Sequence, residues 1–369
     1  MIPINEPLLD GNEKKYLLEC IETGWISSDG PFVKKFEKKF SEFVNRKYGV
    51  ALTNGSAAID VAIESLGIVA GDEVIMPTFT IISCINQIIR VGARPVLIDS
   101  DPETWNMDVT KIETKITSRT KAIIVVHIYG LPVDMDPVLE IAKKYNLKII
   151  EDAAEMHGQT YKGKPCGSFG DISTFSFYAN KHVTTGEGGM VVTNSDQLVK
   201  DSRSLRNLCF QAEKRFVHER LGWNLRMTNL QAALGLAQLE QLEKFVQRKR
   251  HIGNLYNELL SGLPNVTLPI PKTDYAENIF WVYGILLNDD FNVDAEMVMG
   301  KLNKKGIGTR PFFCPMHMQP VLKKMGLFLG EHYPVAEKLY RKGFYIPSGM
   351  ALTDDQIKES ALAVKEVLR

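Results

Sequence analysis

From residue 48 to residue 193 the chain alternates two textures. Short, continuous apolar runs predict strands at 48–53 (YGVALT), 73–79 (EVIMPTF), 94–101 (RPVLIDSD), 121–130 (KAIIVVHIYG) and 147–154 (LKIIEDAA). Between them lie stretches with helical spacing. Ile59, Ala62, Ile63 and Leu66 recur at i, i+3, i+4 and i+7, and Ser56 is placed to cap that helix. Further helices are predicted near 81–91, behind an Asp108 cap, and over 136–146. Strands that are apolar along their whole length and alternate with helices predict an α/β fold. Its sheet should be mostly parallel and covered on both faces.

The flanks read differently. Phe32, Phe36 and Phe40 recur at i, i+4 and i+8, the buried face of an early helix. Thr228 and Gln231 form a capping box that opens a helix expected to run on through residues 248–252. Beyond about residue 250 the texture becomes α+β. A strand is expected at 279–287, a helix between Asp294 and Gly306, and a last helix opened by Thr353 and Gln356. The pattern predicts two domains: a large one over 1–245 and a smaller one over 246–369.

Composition narrows the function. The 369 residues carry 44 basic and 44 acidic side chains, so no global field recruits nucleic acid or an anionic membrane. The basic run Arg248-Lys249-Arg250 is expected on a solvated helix face. No apolar run approaches the roughly 18 residues of a membrane span. The N-terminal stretch has neither signal-peptide nor transit-peptide texture. Five scattered cysteines without a CxxC pair suggest the reduced thiols of a cytoplasmic protein. Seven histidines without HExxH or HxH spacing leave a structural metal without support.

The candidate chemistry centres on residues 171–190, DISTFSFYANKHVTTGEGGM. An aromatic strand leads through a polar turn to Lys181, and Gly186, Gly188 and Gly189 come soon after it. A lysine beside a buried strand loses hydration, its pKa falls, and a neutral amine can attack a carbonyl. Lys181 is then either the attachment point of a carbonyl cofactor, held as a Schiff base, or a lysine in an ordinary hairpin loop. Ser56, at a strand–glycine–helix junction, marks a place for a phosphate against a helix N-terminus. Asp152 ends a buried strand. It is a helix cap, or a carboxylate that needs a cation such as a protonated pyridine nitrogen. Glu155 and His157 lie on the same loop, the histidine more simply read as packed. Trp25 sits among turn residues and is harder to assign to packing. Ser56, Phe79, Asp152 and Lys181 all fall at or just past strand carboxyl ends, where ligands of parallel sheets gather.

Taken together, NGSAAID, EDAAEMHG, FSFYANKHVTTGEGGMVVTN and GWNLRMTNLQAALGLAQLEQL, with the N-terminal NEPLLDGNEKKYLLECIETGWISSDGPFVKKFE, resemble the DegT family of sugar-nucleotide aminotransferases. The resemblance spans most of the large lobe. It implies the aspartate-aminotransferase-like fold, pyridoxal phosphate fold type I, with pyridoxal 5′-phosphate as cofactor. By that likeness Lys181 matches the Schiff-base lysine and Asp152 the partner of the pyridine nitrogen. Phe79 matches the aromatic stacked on the cofactor ring, and Ser56, Ala57 and Ser176 the phosphate contacts. Asn224 matches a phosphate contact from a neighbouring subunit, which implies a homodimer with shared active sites. Many members carry glutamine where Glu155 stands, beside the cofactor's phenolic oxygen. A carboxylate there would repel an oxyanion unless protonated.

The implied reaction transfers an amino group from glutamate, leaving 2-oxoglutarate, to a nucleotide-linked 4-keto-6-deoxy sugar. GDP-4-keto-6-deoxymannose going to GDP-perosamine, for O-antigen lipopolysaccharide, is the expected case. A 4-aminotransferase on a dTDP- or UDP-linked sugar is the alternative. Two others stand beside it: a 3-dehydratase relative with histidine in place of the lysine, and a cofactor-binding regulator without turnover. Resemblance and chemistry place the sugar nucleotide near Trp25, Arg310, Phe312 and His317. Arg310, on an otherwise apolar strand, would grip the diphosphate or else form a surface ion pair.

Overall fold

The computed structural model describes residues 1–368. Seven strands form the first sheet: β1 (Tyr48–Leu52), β2 (Glu73–Pro77), β3 (Arg94–Ile98), β4 (Thr120–Val126), β5 (Lys148–Asp152), β6 (Ile172–Ser176) and β7 (Gly189–Thr193). Their spatial order is β1-β7-β6-β5-β4-β2-β3. Strands β3, β2, β4, β5 and β6 pair in parallel, and β7 runs antiparallel to both β6 and β1.

The continuous apolar runs are explained by two covered faces. Along β4, Ala122, Ile124 and Val126 enter one buried cluster while Ile123 and Val125 enter another. The helices Gly55–Ser65 and Ser83–Arg90 cover the first face. The helices Pro31–Phe43, Met135–Tyr145 and Asn229–Leu239 contribute to the second, where Phe36, Phe40, Phe175 and Phe177 lie fully buried. Helix Asn229–Leu239 carries Gly235 in its interior for a packing reason. A Cβ there would stand 2.6 Å from Thr185 Cγ2 and 2.8 Å from the Phe36 ring, so glycine lets the helix press on the loop beyond Lys181.

A second sheet has the order β8-β9-β11-β10, all antiparallel: β8 (Val266–Thr267), β9 (Tyr283–Leu287), β10 (Arg310–Pro311) and β11 (Gly343–Ile346). With the helices Ala295–Lys304 and Asp354–Leu368 it encloses a third cluster. Ile2 also belongs to that cluster and pairs with Ile307, so the N-terminal arm docks on the second sheet's lobe. Helix Leu242–Leu260 joins the lobes: Leu242 and Val246 pack with the second cluster, Ile252, Tyr256 and Leu260 with the third.

Several local expectations change. Asn54, not Ser56, caps helix Gly55–Ser65, its side chain accepting from Ala57 N at 2.8 Å. Asp108 does cap, but it opens two short 3₁₀ turns in place of a helix, in a segment rich in β-branched residues. The long helix after Thr228 breaks at Glu240 and Gln241 before restarting. The strand expected from 279 begins at Tyr283, because Phe280 takes a left-handed φ of 49°. The run Arg248-Lys249-Arg250 is not a solvated face: both arginines are half-buried and Lys249 is only 3% exposed.

Candidate active site

Loops that begin far apart in the sequence emerge together at the carboxyl edge of the first sheet. Leu52 pairs with Gly189, and Gly189 pairs with Ser176, so the ends of β1 and β6 flank one glycine. A Cβ on Gly189 would lie 2.2 Å from the Asn54 carbonyl oxygen, and one on Gly55 would lie 2.7 Å from Ser176 Cβ. Both glycines are needed for this close approach. The result is a concave start to helix Gly55–Ser65, with Ser176 beside it and Ser56 exposed. The N–H groups of this first turn have no intrahelical acceptor, and the helix dipole favours an anion there. Ala57 is buried and its N–H is already taken by Asn54, which leaves the Gly55 and Ser56 N–H groups for an anion.

Two strands along, Asp152 ends β5. It is 3% exposed, accepts from Ala154 N at 3.1 Å, and takes the Cys84 thiol at 3.4 Å. Burial pushes its pKa up. Among the described residues no cation lies within ion-pair distance of it.

Lys181 lies in the loop after β6 with its side chain 10% exposed. Burial lowers its pKa, which favours the neutral amine. Its Nζ stands 4.0 Å from Glu155 Oε1 and 3.8 Å from the centroid of the Trp281 ring. Glu155 accepts from Tyr129 N at 2.6 Å, and burial raises its pKa to about 8. At neutral pH Glu155 therefore carries its proton. The repulsion expected of a carboxylate beside an oxyanion does not arise in that state. His157 is buried, accepts from Val183 N at 3.1 Å, and has its pKa lowered by burial to about 3, so it is a neutral packed ring.

Phe79 lies just past β2 at the same edge and is fully buried against Tyr129, Phe312 and Phe313, with ring centroids 5.9–6.1 Å away. Stacking on a ligand ring requires that cover to shift. Phe312 lies behind Phe79, 2% exposed, packed on Trp105 and Tyr129. His317 lies beneath the same strand end. Thr78 Oγ1 at 2.8 Å and Glu337 at 3.1 Å occupy both ring nitrogens. Neither residue offers a free polar atom to a sugar; they brace the segment that carries Phe79. Arg310 is exposed rather than buried, and its guanidinium donates only to its own neighbour's carbonyl, Thr309 O, at 3.0 Å. It sits opposite Tyr345 on the second sheet. Trp25 is half-exposed, its carbonyl accepting from Asn229. Asn224 is exposed and accepts from Arg226 Nε at 2.8 Å, on a segment that pairs with the end of β1 through Arg226 and Leu52.

Sequence reasoning misses Tyr129, Trp281 and Cys84. Tyr129 looks like the tail of an apolar strand, and its φ of 56° leaves no mark in the sequence. Trp281 comes from the other lobe.

A model of the DegT/DnrJ/EryC1/StrS aminotransferase family matches residues 7–365. The chain is a member of that family. It is 42% identical to the GDP-perosamine synthase of Caulobacter vibrioides over 368 residues, covering 100% of this chain and 98% of the relative. It is 40% identical to the GDP-perosamine synthase of Vibrio cholerae, covering 99% and 98%. Among solved structures, the putative sugar aminotransferase Spr1654 of Streptococcus pneumoniae in its PMP form superposes with a TM-score of 0.91 at 27% identity, over 99% of this chain and 97% of that one. As a DegT/DnrJ/EryC1/StrS aminotransferase, the chain is a pyridoxal-phosphate-dependent sugar aminotransferase. The aspartate-aminotransferase-like fold expected from the sequence is the one observed. The site fits the cofactor on its own evidence. A buried carboxylate without a cation suits a protonated ring nitrogen, and a helix start opened by two glycines suits a phosphate. Among the described residues no helix is long and apolar enough to cross a membrane.

Proposed function

We propose that the enzyme aminates GDP-4-keto-6-deoxymannose at C4, with glutamate as donor, to give GDP-perosamine and 2-oxoglutarate. The observation that carries the reaction is the convergence at one sheet edge of the buried Lys181 amine, the buried Glu155 4.0 Å from it, and the buried Asp152 with no cation within ion-pair distance among the described residues. Relatives of 40–43% identity named GDP-perosamine synthase support the sugar.

When bound, pyridoxal phosphate supplies the electron sink. Lys181 is the covalent attachment point. Released from it, the Nζ accepts the proton of the donor's α-carbon and later returns one to C4 of the sugar. Asp152, buried with only Ala154 N–H and the Cys84 thiol on its carboxylate, would supply the anion that keeps the ring nitrogen protonated. Glu155, held through one oxygen by the Tyr129 N–H, would turn its other oxygen and proton toward the cofactor's phenolic oxygen. Ser56 and Ser176, with the Gly55 N–H, would line the phosphate cradle, while the Ala57 N–H expected there is held by Asn54. Arg310, free of any carboxylate partner among the described residues, meets the nucleotide diphosphate.

Purified holoprotein should release 2-oxoglutarate from glutamate with the GDP-linked keto sugar at a kcat/KM at least about 10-fold above the dTDP- and UDP-linked ones. Preference for either of those would replace the GDP reading. We also infer a homodimer in which Asn224 serves the neighbouring subunit's phosphate. Mixing Lys181→Ala with Asn224→Ala chains, each inactive alone, should restore activity in the heterodimer. No rescue after demonstrated subunit exchange would place Asn224 elsewhere.

A further inference from the structure

Lys249 takes no part in the reaction steps assigned above, yet it is buried and close to them. It lies on the helix that joins the lobes, Leu242–Leu260, and has no carboxylate partner among the described residues. Its Nζ instead donates to two backbone carbonyls of the second lobe, Trp281 O at 2.7 Å and Ser348 O at 2.6 Å. One turn further along the helix, Gly253 meets Phe280 so closely that a Cβ would stand 2.2 Å from the ring. The helix thus grips residues 280 and 281 at two successive turns. From the other side Gly130 holds the same segment. Its φ is +105°, and a Cβ there would clash with the N–H groups of both Phe280 and Trp281 at 2.6 Å. The side chain of Trp281 then acts at the site twice. Its indole Nε1 donates to Asn180 O at 3.0 Å, one residue before Lys181, and its ring face covers the Lys181 amine at 3.8 Å.

We propose that Lys249 is a positioning residue for transamination: by fixing the Trp281 backbone from the inter-lobe helix, it sets the indole that holds Asn180 and shields the Lys181 amine. A buried lysine amine bound only to carbonyls, its pKa lowered by burial to about 7, is an expensive way to join two segments. An apolar side chain would pack there more cheaply if packing were the only need. The inference rests on Lys181 being the attachment point.

The test uses holoenzyme carrying Lys249→Met, Lys249→Arg or Trp281→Leu, and the double variant Lys249→Met/Trp281→Leu. Measured are kcat, KM for both substrates, Tm, and the visible absorbance of the lysine-bound cofactor with its pH midpoint. Lys249→Met should lower kcat about 10- to 100-fold, the scale of a small misplacement of a reacting group, with KM values moving less than about 3-fold. The absorbance midpoint should shift. Lys249→Arg should recover most of both. The double variant should be no worse than the worse single one, since both lesions act through the indole. A lowered Tm with wild-type kcat and absorbance would reduce Lys249 to a structural clip, and additive losses would break its link to Trp281. If Lys249→Met does not fold, Trp281→Leu decides: unchanged kcat and absorbance there overturn the proposal. Failure of the underlying reading looks different, since Lys181→Ala would then keep turnover whatever happens at Lys249.

Discussion

Replacing Glu155 with glutamine separates the proton on this side chain from its shape. In the folded apoprotein burial raises the Glu155 pKa from 4.5 to about 8. An unfolded chain releases that proton near pH 4.5, the folded chain only near pH 8. The folded state therefore holds the extra proton throughout this window, and stability falls as pH rises through it. The contribution is fully present below the unfolded value and gone above the folded one. About 3.5 pH units at about 1.4 kcal/mol each give about 5 kcal/mol, an upper bound because relaxation of the fold and entry of water on ionisation reduce the penalty. Glutamine keeps the volume and an oxygen for the Tyr129 N–H, but cannot ionise. Urea unfolding of apo wild type and Glu155→Gln at matched pH values from about 5 to about 9 measures the difference directly. Subtraction removes every group that titrates alike in both proteins. The variant should gain on wild type by up to about 1.4 kcal/mol per pH unit and level off above about pH 8. A difference that stays flat over that range would show that Glu155 ionises normally in the fold, and the proton donor assigned to it would be lost. Activity provides a second reading. The glutamine N–H₂ can replace the donated proton, so kcat should change less than about 10-fold, whereas Glu155→Ala should lose more.

Other changes separate the remaining roles. Lys181→Ala should abolish transamination while melting within a few degrees of wild type, checked by turnover and calorimetry; near-normal turnover would end the attachment reading. Asp152→Asn should lose about 100-fold or more in kcat, because an amide does not hold the ring-nitrogen proton. Its apoprotein should melt no lower than wild type, since a buried, cation-less carboxylate has been removed; normal cofactor affinity with normal rate would contradict the role. Arg310→Ala should raise KM for the sugar nucleotide about 10-fold and leave KM for glutamate alone, read from initial rates. Equal effects would assign Arg310 to the glutamate carboxylate instead.

The parts of this enzyme that are legible in its sequence are those that local chemistry dictates. The strands of the first sheet have both faces covered, so their apolar runs are unbroken and plain. Lys181, Asp152 and Ser56 stand at strand ends, which neighbouring residues mark. The features that escape depend on contacts between distant segments. Trp281 reaches Lys181 from the other lobe, and nothing near either residue announces the meeting. His317 carries the right functional group for a site but spends both nitrogens on Thr78 and Glu337, a fact of packing. Lys249 sits between two arginines and looks like surface, because periodicity alone does not say that a helix spanning two lobes is wrapped on several sides. Asn54 takes the cap from Ser56, a choice made by backbone geometry.

The buried Asp152 has a consequence for the life of the polypeptide before it ever meets substrate. A chain that folds without cofactor must keep an acid out of water with a thiol and one N–H as its side-chain hydrogen bonds and the field of Lys181 beyond them. Loading relieves this, so the cofactor acts as the last component of folding. At a free concentration about 100 times its dissociation constant it would add about 2.7 kcal/mol to stability. In a cell short of vitamin B6 the apoprotein would then be the form that opens more often and is degraded sooner. Enzyme abundance, and not only its occupancy, would track cofactor supply.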